Sequence, residues 1–149
     1  MRPLNIRTML ESDYPHVRAL WKSCEGMGLN DVDDCAEGYA RFLARNPTTC
    51  LVAEEEDRIV GAIVVGYDGR RAYVYHTAVD PSRRGRGVGR ALVESVLSRL
   101  GELGATKVAL VVFSRNQVGN AFWESLGFQE RRDLTYRDRT LVKMVRADT

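Results

Sequence analysis

A glycine- and arginine-rich segment near the middle of the chain carries the residues best suited to bind a charged ligand. Residues 79–92 read Val-Asp-Pro-Ser-Arg-Arg-Gly-Arg-Gly-Val-Gly-Arg-Ala-Leu, with glycines alternating at Gly85, Gly87 and Gly89. Because glycine has no Cβ, successive backbone N–H groups can turn toward one point and a ligand can approach closely. Arginine guanidinium groups donate paired hydrogen bonds to phosphate oxygens. The segment therefore predicts a site for a pyrophosphate group.

Two better-known phosphate-binding loops have a different spacing. A P-loop carries Lys and then Ser or Thr after its last glycine, whereas Arg90 and Ala91 follow Gly89 here. The dinucleotide-binding fingerprint places two residues before its third glycine, and only Val88 separates Gly87 from Gly89. The remaining alternative for the loop by itself is a solvated basic turn that precedes an amphipathic helix.

The pattern on either side places this loop between a strand and a helix. Residues 72–79 form the predicted strand, and the helix begins near Gly87, presents one apolar face and ends at Gly104. The free amides at the start of that helix add a partial positive charge to the phosphate site. A strongly apolar strand is predicted at 107–113, so that strand, helix and strand form a parallel crossover unit.

The rest of the chain shows no linker or repeat, so we expect a single domain over residues 1–149. Local signals bound the helices: Ser12-Asp13 caps the first, and Asn46-Pro47 ends the second. The remaining predicted elements are strands at 6–8, 50–54 and 58–67, a tight turn at Asp68-Gly69, helices at 12–24, 33–45 and 116–126, and two antiparallel strands within 128–145. Together they predict an α+β fold with a mixed, mostly antiparallel sheet of six or seven strands and four helices.

Two motifs resemble those of a known enzyme family. The segment Arg84-Gly85-Arg86-Gly87-Val88-Gly89 matches the Arg/Gln-x-x-Gly-x-Gly/Ala motif of the GNAT N-acetyltransferases. Residues 116–128 resemble the family's Asn-x-x-Ala-x-x-(Phe/Leu)-Tyr-Glu-x-Leu-Gly-Phe segment. The motifs occur in the family's order, and the predicted elements follow the GNAT order over nearly the whole chain. The sequence looks most similar to the small single-domain bacterial acetyltransferases.

The resemblance implies that acetyl-CoA is the acetyl donor, in a GNAT-like fold whose two parallel strands splay apart. The pantetheine arm would lie in the gap and pair with the backbone of Thr77, Ala78 and Val79, while the pyrophosphate would sit on the amides of residues 84–89. Asn116 would reach the pantetheine, and the Val79 amide would polarise the thioester carbonyl. A primary amine would attack the thioester directly, so neither a metal nor a catalytic cysteine is expected.

Trp123 stands where the family usually has a tyrosine that acts as the general acid. An indole N–H donates a hydrogen bond but supplies no proton at neutral pH, so we expect Trp123 to line the thiol end of the site. Tyr75, His76 and Tyr136 are candidate replacements, each with a packing role as the alternative. Because successive strand residues face opposite sides, we expect only one of Tyr75 and His76 to point into the site. The predicted function is N-acetyltransferase, and the alternative is an acyl-CoA-binding module with weak or no turnover.

Charged residues outside the glycine-rich loop give opposite indications of the charge of the acceptor substrate. The region between the first two helices lines the acceptor site in many GNAT relatives, and there the acidic run 31–34 would attract a cationic amine. The same carboxylates also suit the start of a helix. Arg70 and Arg71 would instead attract an acidic acceptor. The sequence leaves the choice open, and the expected acceptor is a small-molecule or peptide amine.

Composition argues against other classes of protein. The 149 residues contain 22 Lys and Arg against 20 Asp and Glu, and the net charge of +2 disfavours a nucleic-acid partner bound through bulk positive charge. No apolar stretch approaches the roughly 20 residues of a membrane span, and residues 1–7 lack the apolar segment of a secretory signal. Three cysteines without paired spacing suit a reducing, cytoplasmic location. A homodimer is compatible with the resemblance.

Overall fold

The computed structural model describes residues 3–148, and a five-stranded mixed sheet lies at its centre. The strands lie in chain order across the sheet; β1 to β4 pair antiparallel, and β4 pairs parallel with β5. Their bounds are β1 (Asn5–Thr8), β2 (Cys50–Glu55), β3 (Arg58–Tyr67), β4 (Arg71–Val79) and β5 (Lys107–Ala109). With helices on both faces, the predicted α+β class is confirmed.

Residues 3–148 form four α-helices, of which the first and the third pack on opposite faces of this sheet. The four helices are α1 (Tyr14–Lys22), α2 (Ala36–Arg45), α3 (Val88–Leu103) and α4 (Gln117–Ser125). Alternate side chains of β2 point to opposite faces. Cys50 and Val52 pack with α1 and α2, whereas Leu51 and Ala53 pack with α3. No helix within residues 3–148 combines the length and the apolar character that a membrane crossing needs.

Glycines bound α3 at both ends. Gly87 precedes the helix with a φ of 85°, and Gly104 follows it with a φ of 90°. Residues with a Cβ rarely adopt these left-handed values, so glycine is favoured at both positions. Between them, Val88, Leu92 and Val96 are buried against the sheet. The predicted helix after the glycine-rich loop is therefore confirmed.

The parallel strands β4 and β5 pair over only part of the length of β4. The last pair joins Tyr73 to Ala109, where β5 ends, while β4 continues to Val79. Within residues 3–148, no strand pairs with this edge of β4 from Val74 onward. Backbone N–H and C=O groups on that edge are therefore left for another partner.

A β-bulge interrupts β4 in the same region. The register with β3 shifts on either side of Val64, so that two residues of β4, Tyr75 and His76, lie opposite one residue of β3. A bulge of this kind breaks the strict alternation of side chains along a strand. Its consequence for Tyr75 and His76 is described below.

The predicted count of six or seven strands is not confirmed, because the described residues form five. Segment 128–145, predicted as two strands, forms none, and nearby Arg146 makes one isolated bridge with Asn30. Beyond the partly buried Phe128, the large apolar side chains of the segment stay exposed, including Leu134 at 61% and Leu141 at 89%. Alternating apolar residues form a strand only where another strand pairs with them, and this segment has no such partner among residues 3–148.

Two element boundaries differ from the sequence prediction by three residues or more. The strand predicted at 107–113 ends at Ala109, where its pairing with β4 stops. The second helix begins at Ala36 rather than Asp33. Asn30 is the reason, because its Oδ1 accepts the N–H of Asp33 at 2.8 Å and holds a turn before the helix.

Candidate active site

The loop between β4 and α3 opens with a capped turn. The Asp80 side chain accepts hydrogen bonds from the N–H and the hydroxyl of Ser82, at 2.9 and 2.8 Å, and these bonds lower the pKa of Asp80. Arg83 is held away from the loop surface, since its Nε donates to Glu55 Oε1 at 3.1 Å. Arg84 and Arg86 are exposed. These two guanidinium groups are therefore placed to meet an anion at the loop.

The N-terminus of α3 adds backbone donors to the same surface. Gly87 precedes the helix and supplies no side-chain cap, and the first bond into the helix runs from the Ala91 N–H to the Gly87 carbonyl at 3.0 Å. The N–H groups of Val88, Gly89 and Arg90 precede that bond, so they lack acceptors within the helix. They also lie at the positive end of the helix dipole. Together with the two exposed arginines, they form a surface suited to phosphate.

The three glycines of the loop have two different roles. Gly85 and Gly87 have φ values of 77° and 85°, and a Cβ at either position would meet nothing within 4 Å. These two residues are favoured for their backbone conformation, and the space above them is open to a ligand. A Cβ at Gly89 would come within 3.1 Å of the Phe122 ring. Gly89 therefore allows α4 to pack closely on the start of α3.

Val79 and Thr77 turn their backbone groups toward the open edge of β4. The Asp80 N–H donates to the Val60 carbonyl at 2.8 Å, which marks that pair as hydrogen-bonded. Hydrogen-bonded and non-hydrogen-bonded pairs alternate along an antiparallel ladder. Val79 and Thr77 therefore belong to non-hydrogen-bonded pairs with β3, whereas Ala78 bonds to β3 and buries its side chain. The N–H groups of Val79 and Thr77 therefore point away from β3, toward the open edge of β4.

Polar atoms cluster at this end of β4. The Val79 carbonyl accepts from Arg84 Nε at 3.4 Å and from Cys24 Sγ at 3.5 Å. The Thr77 Oγ1 atom is buried and has no hydrogen-bond partner among residues 3–148. An unsatisfied buried hydroxyl costs about 1–3 kcal/mol, so a ligand that reached it would recover that free energy.

Tyr75 and His76 lie on the same face of the sheet, so the expectation that only one could point into the site is wrong. Tyr75 packs on Phe42 of α2 with ring centroids 5.5 Å apart, and His76 packs on Trp21 of α1 at 5.0 Å. The physical reason is the bulge, which places both residues opposite Val64 and suspends the alternation between them. Both side chains therefore face the layer of α1 and α2.

His76 is tied to the loop between α1 and α2. Its Nε2 lies 2.8 Å from Asp34 Oδ1, and the exposed fractions of the two side chains are 17% and 10%. The two residues are 42 positions apart in the sequence, which explains why the sequence did not indicate this contact. The acidic run was the only sequence signal at this position, and it did not single out Asp34.

Tyr75 is held in its protonated form. Burial raises the pKa of Tyr75, and the charges of Asp33 and Tyr136 raise it further. Tyr136 itself is exposed, in the segment that follows α4. The Tyr75 hydroxyl therefore remains a hydrogen-bond donor at neutral pH.

Trp123 and Asn116 both lie on the α4 side of the molecule. Trp123 packs edge-on with Phe122 at 5.0 Å and with Phe128 at 5.1 Å, against the hydrophobic cluster that contains α3. Asn116 caps α4, because its Oδ1 accepts the N–H of Gly119 at 2.9 Å. The Nδ2 group of Asn116 is not used by that cap.

The acidic run is largely occupied by contacts within the chain. Asp31 accepts from the Val145 N–H at 2.6 Å, and Asp33 accepts from the Asn30 side chain at 3.1 Å. Within the run, Asp34 is the residue that hydrogen-bonds to β4. The competing basic pair lies elsewhere, because Arg70 and Arg71 are at the opposite end of β4 from Val79, where both contact Thr106. The arginine pair is therefore not beside the open edge.

The three cysteines lie in different surroundings, and Cys50 is fully buried in the core. Cys24, Cys35 and Cys50 are free, and burial raises the pKa of the Cys50 thiol to about 12. A thiol with so high a pKa is not an effective nucleophile. Residues 3–148 contain no group of three or more His, Cys, Asp or Glu side chains placed to hold a metal ion.

Comparison with known proteins identifies the family. The profile of the acetyltransferase (GNAT) family matches residues 11–128. An acetyltransferase of Photorhabdus laumondii is 34% identical over 128 residues, which cover 86% of this chain and 88% of that protein. Among solved structures, Ard1 from Thermoplasma volcanium has a TM-score of 0.75 at 24% identity, over 83% of this chain and 81% of its own. An aminoglycoside N-acetyltransferase in complex with CoA has a TM-score of 0.71 at 20% identity, over 94% of this chain and 97% of its own. The chain therefore belongs to the GNAT family of acetyltransferases.

Proposed function

We propose that this protein transfers an acetyl group from acetyl-CoA to a primary amine. The observation that carries the proposal is the unpaired edge of β4, which runs from Val74 to Val79 and leads directly into the loop before α3. One long ligand can use both features, with a pyrophosphate at the loop and an amide-containing arm along the strand edge. Acetyl-CoA has this chemistry.

The loop residues fit the pyrophosphate. Arg84 and Arg86 are exposed and can donate to phosphate oxygens. The free amides at the start of α3 lie at the positive end of the helix dipole, which favours an anion there. Gly85 and Gly87 leave open space over the loop. The segment Arg84–Gly89 is therefore our proposed phosphate site, with Gly89 contributing through helix packing.

The strand edge fits the pantetheine arm. Thr77 and Val79 present backbone groups at the open edge of β4. The unsatisfied Thr77 hydroxyl offers the arm a further contact. Ala78 lies between them and holds the strand to β3. We propose that Asn116 Nδ2 contacts the pantetheine and that the Trp123 ring lines the end of the site that holds the CoA thiol. These two assignments rest on the resemblance to the family.

The chemistry requires few protein groups. An unprotonated amine attacks the thioester carbonyl, the carbon–sulfur bond breaks and the CoA thiolate leaves. The Val79 N–H is the donor proposed to stabilise the oxyanion. Tyr75 and His76 both face the layer of α1 and α2, where we place the acceptor.

The comparisons support this function without naming the acceptor. The Photorhabdus laumondii relative is an acetyltransferase, and the structural neighbour bound to CoA is an aminoglycoside N-acetyltransferase. We therefore propose an acceptor that is a small-molecule or peptide amine. The direct test is release of CoA thiol from acetyl-CoA over a panel of polyamines, aminoglycosides, amino acids and peptide N-termini. Acceptor-dependent thiol release with at least one amine is expected, and binding of acetyl-CoA without release for any amine would contradict the proposal.

A further inference from the structure

His76 is held on the part of β4 that pairs with β3 but, among residues 3–148, with no strand on its other edge. Its ring packs edge-on against Trp21 at 5.0 Å, and Trp21 is only 2% exposed. Its Nε2 lies 2.8 Å from Asp34 Oδ1. A ring held by a buried indole on one side and a carboxylate on the other has one orientation.

The hydrogen bonds of Asp34 fix which ring nitrogen carries the proton. Asp34 Oδ2 accepts a hydrogen bond from the N–H of Asn30 at 2.9 Å. This bond orients the carboxylate so that its other oxygen, Oδ1, faces His76. An ionised carboxylate only accepts hydrogen bonds, so His76 Nε2 must donate. In the neutral ring, Nδ1 then carries the lone pair. Nδ1 makes no hydrogen bond among residues 3–148.

We propose that His76 Nδ1 removes the proton from the acceptor ammonium, and that Asp34 is the positioning residue that holds this tautomer. The inference rests on the proposed function, because it assigns the base for the same reaction. The ammonium R–NH₃⁺ gives one proton to Nδ1, and the resulting amine attacks the thioester carbonyl carbon. The carbon–sulfur bond breaks, the second nitrogen proton goes to the thiolate, and imidazolium returns its proton to water. The sum is R–NH₃⁺ plus acetyl-CoA giving the N-acetyl amine, CoA thiol and H⁺.

Other side chains on this face suit the role less well. Tyr75 stays protonated because burial raises its pKa, and a neutral phenol oxygen is too weakly basic to remove a proton from an ammonium group. Trp21 has only a donor N–H, and that group is buried without a partner among the described residues. Among these neighbours, His76 combines a basic nitrogen with partial exposure, its side chain being 17% accessible.

Substitution of Asp34 by asparagine tests the positioning role without removing the loop contact. The amide oxygen introduced by Asp34→Asn can keep the bond from the Asn30 N–H, and the new amide nitrogen then donates to His76 Nε2. The neutral ring must therefore protonate on Nδ1, so the basic nitrogen is lost. We expect kcat to fall about 100-fold in Asp34→Asn and roughly 10²–10⁴-fold in His76→Gln, with the KM for acetyl-CoA changed less than about threefold. Glu37→Gln and His16→Gln, at exposed positions, are the matched controls and should keep the parent kcat.

The tautomer itself is visible by nitrogen-15 NMR, independently of any acceptor. The chain has two histidines, so His16→Gln leaves the ring signals of His76 alone. The expected result is a neutral ring protonated on Nε2 in the parent and on Nδ1 in Asp34→Asn. A parent ring protonated on Nδ1, or a parent kcat retained by His76→Gln, would overturn the inference. If the parent binds acetyl-CoA but acetylates no amine in the panel, the proposed function fails and the inference fails with it. If the parent is active and both variants match it, only the inference fails.

Discussion

Tyr75 and His76 are consecutive residues of β4, and both side chains face α1 and α2 because the bulge places them together opposite Val64. The bulge lies between the last residue of β4 that pairs with β5 and the backbone groups of Val79. A phenol and an imidazole are thereby presented beside the open strand edge, on the side away from α3. In the proposed function, donor and acceptor would then approach the reaction centre from different directions.

The loop before α3 supplies the first prediction. Arg86→Glu replaces an exposed cation by an anion at the proposed phosphate site, so the affinity for acetyl-CoA should fall. A hydrogen bond to a charged group contributes about 1.5–3 kcal/mol, which corresponds to roughly 10- to 100-fold in Kd. Arg41→Glu makes the same change of charge on α2, over the other face of the sheet, and should bind normally. Equal affinities of the two variants in calorimetry would place the phosphates elsewhere.

The packing of α4 on α3 gives a prediction about stability. A Cβ at Gly89 would lie 3.1 Å from the Phe122 ring, so Gly89→Ala should be less stable by about 1–3 kcal/mol. Gly101, in the same helix, has open space around it, and Gly101→Ala should be more stable by about 0.5–1 kcal/mol. Urea unfolding measures both changes. A stabilised Gly89→Ala would show that α4 does not pack closely on this residue.

Asp13 should make stability depend on pH in the acid range. Hydrogen bonds from Arg7, at 2.8 and 2.9 Å, lower the pKa of Asp13, and the Leu10 N–H adds a further bond. Because the folded pKa lies below the unfolded one, this contribution is complete above the unfolded value of about 3.9 and is lost as the pH falls through the folded pKa. Asp13→Asn should therefore be less stable than the parent by about 1.5–3 kcal/mol at pH 7. The difference in unfolding free energy should shrink below about pH 4, and a constant difference down to pH 2 would contradict this origin.

We expect Trp123 to line the thiol end of the site rather than to donate a proton to the leaving thiolate. It packs with Phe122 and Phe128, and its indole does not ionise near neutral pH. Trp123→Phe keeps an aromatic ring, so it should retain kcat within about tenfold, whereas loss of a general acid costs roughly 10²–10⁴-fold. Trp123→Tyr should be faster than the parent if the phenol reaches the CoA sulfur. A Trp123→Phe enzyme that binds acetyl-CoA normally and loses a thousandfold in kcat would show that the indole N–H is essential.

The parts of the fold that depend on local chemistry could be predicted from the sequence. Gly87 and Gly104 bound α3 because their backbone conformations suit glycine, and Asn116 caps α4 through a bond only three residues away. The position of the glycine-rich loop between β4 and α3 could be predicted for the same reason. Its residue types and spacing are contiguous, and their physical roles do not depend on distant partners.

Features that depend on distant partners were not predictable in this way. The bulge at Tyr75 and His76 depends on the register with β3, which no local pattern specifies. The contact between Asp34 and His76 spans 42 residues. The strands expected within 128–145 had suitable alternation, but among the described residues no strand pairs with them. A local pattern gives the preference of a segment, and a pairing partner decides whether a strand forms.

Calorimetric titration of the parent protein with acetyl-CoA tests the central claim most directly, with ATP and NAD as comparison ligands. One acetyl-CoA should bind per chain, with a dissociation constant in the range of roughly 1 μM to 1 mM that is common for enzyme substrates. ATP and NAD should bind much more weakly, because they share the phosphates but lack the pantetheine arm that we propose pairs with the edge of β4. Absence of acetyl-CoA binding at millimolar concentration, or equal binding of all three ligands, would contradict the assignment of this edge and loop as an acetyl-CoA site.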